Sequence, residues 1–402
     1  MPAPVVPFNA AAHMYVERFT RVIASSAIGA SVVDVSPGQN AVQTYGYLRS
    51  ILVWGTAGTA GTGTAGTFNA DAPQVILNQL SLTDPNGAEI YGGPVWSGWD
   101  AYLAEKYGAY YLVNDFQLSP LFSNNSTSPK VPWRIWLEMN ANSGLGSLPN
   151  MDAQSPYKLK ATQNVATGTS GIYTTAPSTT NPTMQFDYYI EAWTVPEPTN
   201  RITGQPQAIA PLGLGAVGGL QNGATVQHWT KSSPTVTASS AVTLAATRKG
   251  NIFRNVVLVV RNSSGVRQTL ANGFPAFLTY SWDGAPLLSA IDPNYLVERF
   301  YKQAGGQAAA TNTTQDTGVL AVPYSNPSGA DVQGLSPDSF GWNRFVGTVQ
   351  SSRIEWSGTW GANAASVDIL TNDVNFVDLT GSPYSFGFSQ QLQAPAQPQM
   401  RT

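Results

Sequence analysis

Residues able to support nucleophilic or metal-assisted chemistry are scarce in this chain. Its 402 residues include two histidines, His13 and His228, and no cysteine. A Ser-His-acid triad needs histidine as its base, and most protein zinc sites need several histidine or cysteine ligands. The two histidines lie in unrelated sequence contexts. We therefore predict no triad, no metal site and no disulfide framework.

Paired carboxylates are the remaining catalytic alternative, because a glycosidase holds two acids on either side of the bond that it cleaves. Sequence spacing does not show whether two such groups meet, so the pairing stays open. We predict no catalytic residues and expect that the chain is not an enzyme. The carboxylates concerned are Glu89, Asp100, Glu105, Glu191 and Glu298.

Two glycine-rich segments, 61–66 and 213–218, match the GxGxxG pattern of dinucleotide-binding proteins. In those proteins the glycines open a helix whose N-terminus holds the phosphates. Both segments here lie in Gly/Ala/Thr-rich loops, and neither opens a predicted helix. We therefore predict no nucleotide and no other cofactor.

Tryptophans are numerous and allow two interpretations. Flat rings could form a platform for sugars, or they could fill the core and the contacts between subunits. Trp133, Ile135 and Leu137 fall on one face of a predicted strand and Trp136 on the other, which favours the core and contact roles. The tryptophans considered are Trp96, Trp99, Trp133, Trp136, Trp193, Trp229, Trp282, Trp342, Trp356 and Trp360.

The chain carries little charge. Charged residues make up 11% of it, and its formal net charge is -3. No basic stripe suited to nucleic acid is present, whereas low charge is typical of surfaces covered by neighbouring subunits. The N-terminus lacks the pattern of a signal peptide, and no apolar run is long enough to span a membrane. We expect a protein that is used without secretion and makes no direct contact with nucleic acid.

Residues 1–30 differ from the rest of the chain in their periodicity. Their apolar residues recur at helical spacing and Asn9 is a suitable N-cap, so we predict one amphipathic helix. This arm either packs on its own domain or docks on a neighbouring subunit or a lipid surface. Deleting residues 1–28 should then leave the remaining domains folded. The apolar positions are Phe8, Ala12, Tyr15, Phe19, Val22 and Ile23.

The remainder of the chain presents the same order of segments twice. Each half has an apolar strand, then a strand that ends in an Asp-containing turn, then a Tyr-Leu-x-Glu-basic-aromatic segment. So long a period indicates two copies of a whole domain. The matched segments are 45–54 and 251–260, 77–87 and 277–284, and 102–107 and 295–300.

The third matched segment predicts a short helix or turn that closes one end of each domain. We expect Leu103 and Leu296 to be buried against the sheet. Glu105 and Glu298 are expected to face solvent or a neighbouring subunit, so that replacing either by glutamine should leave folding nearly unchanged.

Short apolar runs separated by Gly, Pro, Asn and Asp predict an all-β architecture. About eight such runs in each half are expected for an antiparallel sandwich or barrel. We divide the chain into an N-terminal helical arm (1–30), a first domain (31–200), a Pro/Gly/Ala-rich linker (201–230), a second domain (231–389) and a C-terminal tail (390–402).

The order of these segments resembles the double jelly-roll major capsid proteins of tectivirus-like, membrane-containing icosahedral bacteriophages. The similarity rests on the repeated strand, Asp turn and Tyr-Leu-x-Glu segment. It extends to the strand 187–193, which closes the first half, and to the segment 291–296 in the second. The resemblance implies a double jelly roll, in which each half is an eight-stranded antiparallel sandwich.

The resemblance also implies a function. The chain would be a major capsid protein whose homotrimers form pseudo-hexagonal capsomers of an icosahedral shell. Its partners would be further copies of itself, vertex and minor capsid proteins, and an internal membrane vesicle reached by the N-terminal arm. The expected location is the virion, after assembly in the host cytoplasm. The alternative is a carbohydrate-binding or glycan-cleaving β-sandwich protein of phage-tail type.

Overall fold

A computed structural model shows a chain built mainly of antiparallel strands. The structure describes residues 5–6, 12–23, 30–35, 46–57, 66–108, 119–138, 146–150, 157–165, 171–175, 184–195, 199, 202–205, 208–209, 226–246, 252–303, 317–323, 346–347 and 353–374.

The strands fall into two successive groups. The first group is β1 (Val5–Val6), β2 (Met14–Ile23), β3 (Ala30–Val35), β4 (Gly46–Ala57), β5 (Thr67–Phe68), β6 (Leu77–Thr83), β7 (Glu89–Tyr91), β8 (Lys130–Trp136), β9 (Leu148–Asn150), β10 (Tyr157–Gln163), β11 (Tyr173–Thr175) and β12 (Met184–Trp193). The second group is β13 (Ala208–Ile209), β14 (Gln227–Ser232), β15 (Ala241–Ala245), β16 (Ile252–Arg261), β17 (Leu278–Trp282), β18 (Ala285–Ile291), β19 (Val319–Pro323), β20 (Val346–Gly347), β21 (Ile354–Thr359) and β22 (Ser366–Val374).

Helices are short. The described residues form α1 (Gly98–Gly108), α2 (Leu270–Gly273) and α3 (Pro293–Gln303), with one 3-10 turn at Gln74–Ile76. None of these helices is long and apolar enough to cross a membrane.

Both groups of strands pair in the same order. In the first, β2-β12-β4-β8 and β3-β10-β6-β7 form two four-stranded arrays, and in the second β14-β22-β16-β19 and β15-β21-β17-β18 do the same. Two facing antiparallel arrays of four strands with this connectivity form a jelly roll. The predicted fold of two eight-stranded sandwiches is confirmed, and we call the two sandwiches the first roll and the second roll.

The predicted N-terminal helix is wrong at residues 14–23. This segment is strand β2, which pairs with β12 over its whole length, from Met14 opposite Trp193 to Ile23 opposite Met184. The apolar residues of the segment recur at helical spacing and do not alternate, since the strand face that carries Tyr15 also carries the buried Glu17. Its ten-residue ladder with β12 overrides this local pattern, because long-range pairing outweighs local propensity.

The second roll begins earlier than predicted. Strand β14 starts at Gln227, inside the range assigned to the linker, and it pairs with β22. The predicted tail, 390–402, and the GxGxxG segment 213–218 lie outside the described residues, as does all of the segment 61–66 except Gly66.

The matched Tyr-Leu-x-Glu segments both form helices, α1 and α3, as predicted. Leu103 is fully buried and Leu296 is 6% exposed, so the prediction for the leucines is confirmed. Glu298 is exposed as expected. The prediction for Glu105 is wrong: its side chain is buried and accepts a hydrogen bond from the backbone N–H of Arg134 at 3.0 Å.

The run of five apolar residues in β16 is buried on both faces. Val256, Leu258 and Val260 belong to the core of the second roll, whereas Val257 and Val259 pack into the core of the first roll. A continuous apolar run, without the usual alternation, is what a doubly covered strand requires. The two rolls therefore share a buried boundary.

Candidate assembly interface

The two rolls join edge to edge along one pair of strands. Strand β14 of the second roll runs parallel to β7 of the first, with Trp229 opposite Tyr91. The N–H of Gly92 donates to the carbonyl oxygen of Trp229 at 2.9 Å. Gly92 has φ of +78°, and a Cβ there would lie 2.4 Å from the carbonyl oxygen of Leu80. Only glycine fits this junction without strain.

Apolar side chains of the second roll are buried against the first roll at the same boundary. The outer face of the β14-β22-β16-β19 array carries Trp229, Val257, Val259 and Leu370, all at most 4% exposed and all in the core of the first roll. The rings of Trp229 and Trp96 are 6.1 Å apart between centroids. Each fully buried aliphatic side chain contributes about 1.5–3 kcal/mol to the association of the two surfaces.

Six charged residues lie at this boundary, and we call them the inter-roll cluster. Asp71 and Asp100 come from the first roll, whereas Lys231, Arg261, Arg267 and Asp368 come from the second. Three positive and three negative side chains balance one another. Such pairing is needed because an unpaired charge in a buried site is costly.

Lys231 lies at the centre of the inter-roll cluster. Its Nζ is 3.0 Å from both carboxylate oxygens of Asp100 on α1 and 3.5 Å from Oδ2 of Asp368. Burial alone would lower the pKa of Lys231, but the two carboxylates outweigh it and hold that pKa above its ordinary value. Asp368 shows the converse effect, since Lys231 and Arg261 hold its pKa below the usual range despite burial. Both groups are charged at neutral pH.

The two arginines of the inter-roll cluster clamp Asp71. Nη1 of Arg261 lies 2.8 Å from Asp71, and Nε of Arg267 donates to the other oxygen of the same carboxylate. Arg261 also donates to Asp368 at 2.6 Å. The guanidinium of Arg267 lies 4.3 Å from the ring of Trp99 on α1, so it makes both an ion pair and a cation-π contact.

A smaller version of this arrangement lies on the outer face of the first roll. Arg18 on β2 contacts Asp187 on β12 at 3.0 Å, and the hydroxyl of Thr20 donates to the same carboxylate. The side chain of Arg18 is 55% exposed, whereas that of Asp187 is 2% exposed. The guanidinium of Arg18 also lies 5.7 Å from the centroid of the Tyr189 ring. Arg18 thus contacts a buried carboxylate and a ring, and more than half of its side chain is open to solvent.

Comparisons with solved structures report the same architecture. The chain matches the major capsid protein of Sulfolobus turreted icosahedral virus with a TM-score of 0.59 and 16% identity, over 95% of this chain and 100% of that one. It matches VP54 of the virus PBCV-1 with a TM-score of 0.57 and 11% identity, over 90% and 94% of the two chains. It matches the major capsid protein P2 of bacteriophage PM2 with a TM-score of 0.51 and 5% identity, over 91% and 98%.

The chain has the double jelly-roll fold. No family model matches the sequence, and no curated protein matches it either. At this level of sequence identity the similarity shows the fold alone. The strand pairings of the chain show the same fold independently.

A second group of charges lies on the β2-β12-β4-β8 array of the double jelly roll. Arg134 donates to Glu191 at 2.7 Å and stacks at 5.0 Å over the ring of Trp136, while Arg49 contacts Glu138 at 2.8 Å. Burial alone would raise the pKa of Glu191, but Arg134 and its neighbours lower it below the ordinary value. This face is only partly exposed, and its charges are already paired.

The carboxylates considered for catalysis have separate environments. Asp100 binds Lys231, Glu191 binds Arg134, and Glu105 accepts from a backbone N–H. Glu89 and Glu298 are exposed. None of the contacts described for these residues brings two of the carboxylates together as an acid pair.

The two histidines also lie in separate environments. His13 is exposed, and its backbone N–H donates to the hydroxyl of Thr194. His228 is buried in β14, where its ring lies beside the carbonyl oxygen of Glu89. Within the described residues no three His, Asp or Glu side chains group as a metal site would require.

The interpretation of the tryptophans as core residues is confirmed for most of them. Trp136 is partly buried, as the predicted alternation with Trp133 requires. Trp342 and the side chain of Trp282 lie outside the described part of the chain. The buried rings are those of Trp96, Trp99, Trp133, Trp193, Trp229, Trp356 and Trp360.

No sequence pattern predicted the inter-roll cluster. A weak signal is present, since Arg261 ends an apolar strand and Asp368 interrupts another. A charge inside an apolar run indicates a buried partner but does not identify it.

Proposed function

We propose that this chain is the major capsid protein of an icosahedral virus and acts by assembly, without catalysis. The observation that carries the proposal is the pair of equivalent rolls, which matches capsid proteins along nearly the whole length of both chains. Its location would be the virion shell, after assembly in the host cytoplasm. Its partners would be further copies of itself together with vertex and minor capsid proteins.

The assembly unit in this proposal is a homotrimer. Three chains with two similar rolls each present six similar faces, which lets one gene product fill a pseudo-hexagonal site. The low charge of the chain supports broad contacts between subunits. An internal membrane under the shell completes the proposal. Residues 14–23 are a sheet strand, so they do not supply a helical anchor for that membrane.

The alternative, a carbohydrate-binding or glycan-cleaving protein, has less support. Most of the tryptophans that could form a sugar platform are buried in the cores of the rolls. The carboxylates that could form a catalytic pair have other partners.

Light scattering of the purified native protein, with negative-stain images, tests the proposal. We expect a mass of three times the 42.7 kDa chain, or closed shells built from such units. A stable monomer at micromolar concentration that binds or cleaves a glycan would reverse the assignment.

A further inference from the structure

We propose that the contact between the two rolls within the chain recurs between chains, with β18 of one copy pairing in parallel with β2 of the next. This inference rests on the proposed trimer and names the strands and residues that form it. Its basis is a correspondence between the two rolls at the level of single residues.

The register of the strands fixes that correspondence. On the first roll Arg18 lies opposite Tyr189, two residues after Asp187. On the second roll Lys231 lies opposite Leu370, two residues after Asp368. In both rolls the basic residue contacts the aspartate, at 3.0 Å and 3.5 Å.

The neighbouring positions correspond as well. Thr20 and Ser233 each stand two residues after the basic residue, and each hydroxyl donates to the corresponding aspartate. By the same register, Val16 on β2 corresponds to Trp229 on β14. The outer faces of β2 and β14 are therefore built on one pattern.

The two patterns differ in what covers them. Trp229 is 4% exposed because β7 and the segment around Trp96 lie against it, and Lys231 receives Asp100 from the start of α1. Val16 is 50% exposed and the side chain of Arg18 is 55% exposed. In the described part of the chain, β2 stands at the edge of its sheet.

The element that could cover β2 is the counterpart of β7 and α1 in the second roll. Strand β18 corresponds to β7, since each is the outer neighbour of its array and each leads into a helix. β18 is also an edge strand among the described residues. Edge strands expose unpaired backbone groups that readily accept another strand.

Helix α3 presents suitable chemistry beside β18. By the matched segments Asp100 corresponds to Pro293, so Asp292, which is exposed, lies one residue before the counterpart of Asp100 and directly before α3. Tyr295 on α3 is 52% exposed. Seating α3 over β2 would bring the carboxylate of Asp292 to the open side of Arg18. A second copy of this chain is therefore the occupant that fits β2, because it alone repeats a contact that the chain already makes. Such a heterologous contact closes into a ring of six rolls after three copies.

Cysteine cross-linking tests the strand pairing directly, because the chain has no cysteine of its own. Tyr91 lies opposite Leu82 of β6, and Leu288 lies opposite Tyr280 of β17 in the corresponding place. Leu288 on β18 therefore corresponds to Tyr91 on β7. Tyr91 lies opposite Trp229, whose counterpart on β2 is Val16. In a chain that carries both Val16→Cys and Leu288→Cys, residue 16 of one copy should then lie opposite residue 288 of the next. Neighbouring strands are about 5 Å apart, within the Cα separation of a disulfide.

On oxidation we expect the double variant to give a covalent trimer that dissociates on reduction. An equimolar mixture of the two single variants should give covalent dimers and nothing larger. The control combines Val16→Cys with Ala241→Cys, an exposed position on β15 at the opposite edge of the same array as β18, and should give no trimer.

A charge variant provides an independent measurement that does not disturb folding. Asp292→Asn keeps the side-chain oxygen that caps α3, which accepts from the N–H of Asn294 at 2.8 Å, and removes only the charge. We expect the concentration for half-dissociation of the trimer to rise roughly five-fold, typical of a partly exposed ion pair. Asp84→Asn, at an exposed turn whose aspartate makes the same kind of backbone contact, is the control and should leave that concentration unchanged.

The outcomes separate this inference from the proposed function. A wild-type trimer whose double cysteine variant forms no cross-link between positions 16 and 288, and which does not respond to Asp292→Asn, would overturn the strand pairing and leave the trimer standing. A wild-type mass equal to one chain would overturn both.

Discussion

At the scale of single residues, Lys231 is the position on which the charge balance between the rolls depends. Its side chain is 11% exposed, and those of its partners Asp100 and Asp368 are 1% and 6% exposed. Lys231→Ala leaves these carboxylates buried without their cation, so we expect it to lower the free energy of unfolding by roughly 3–5 kcal/mol. Thermal melting monitored by circular dichroism measures the loss.

Lys158→Ala is the matched control, because Lys158 is an exposed lysine on strand β10. It should change the free energy of unfolding by less than about 0.5 kcal/mol. Equal melting temperatures for the two variants would show that the inter-roll cluster contributes nothing measurable.

Glu105 makes the free energy of unfolding of the chain depend on pH. Burial raises the pKa of this carboxyl from 4.5 to about 7. The backbone hydrogen bond and the charge of Arg134 lower the pKa, but burial outweighs them. Below pH 4.5 both folded and unfolded chains hold the proton, so no penalty arises. As the pH rises toward 7, Glu105 ionises in the unfolded chain before it ionises in the folded chain. The free energy of unfolding then falls by up to roughly 3 kcal/mol.

We therefore expect Glu105→Gln to melt at nearly the wild-type temperature at about pH 5 and above it at about pH 8. Glu298→Gln, at the exposed matching position on α3, should follow the wild type at both pH values. A Glu105→Gln variant that is less stable than wild type at the higher pH would contradict a buried carboxyl with a raised pKa.

At the scale of secondary-structure elements, β2 shows how a local sequence pattern can mislead. Since β2 pairs with all of β12, deleting residues 1–23 should remove an edge of the first roll and abolish its cooperative melting. This expectation replaces the one drawn from the sequence, that residues 1–28 are dispensable. Deleting only residues 1–12 keeps β2 whole and should preserve cooperative melting. Similar melting of both truncated chains would exclude β2 from the fold's essential core.

Elements with a strong local pattern are predictable, and those defined by distant partners are not. Strands β4 and β16 and helices α1 and α3 follow from repeated apolar runs and a repeated motif. The first strand of each roll lies in a range whose local pattern indicates something else: β2 lies in the predicted arm, and β14 begins in the predicted linker. Each stands at the edge of its four-stranded array, and its partner, β12 or β22, lies more than 100 residues later. Local periodicity carries no information about such a partner.

At the scale of the whole molecule, the same limit applies to the inter-roll cluster. Its members meet only because β14 docks on β7, and Asp71 and Asp368 are nearly 300 residues apart in sequence. The repeated segments reveal two similar domains, but they do not reveal that the second buries an entire face of its sheet against the first. That buried face makes the second roll dependent on the first.

This dependence leads to a prediction for the isolated second roll. Expressed alone, residues 226–402 would expose Val257, Val259 and Leu370, which are at most 1% exposed in the whole chain. An apolar patch of this kind promotes association, so we expect aggregates in size-exclusion chromatography. The triple variant Val257→Thr, Val259→Thr and Leu370→Gln should restore a soluble monomer of the fragment. In the full chain the same variant should lower the melting temperature, because there the face is buried. A wild-type fragment that is monomeric and cooperatively folded would show that the two rolls are independent, joined by the chain but not by their shared face.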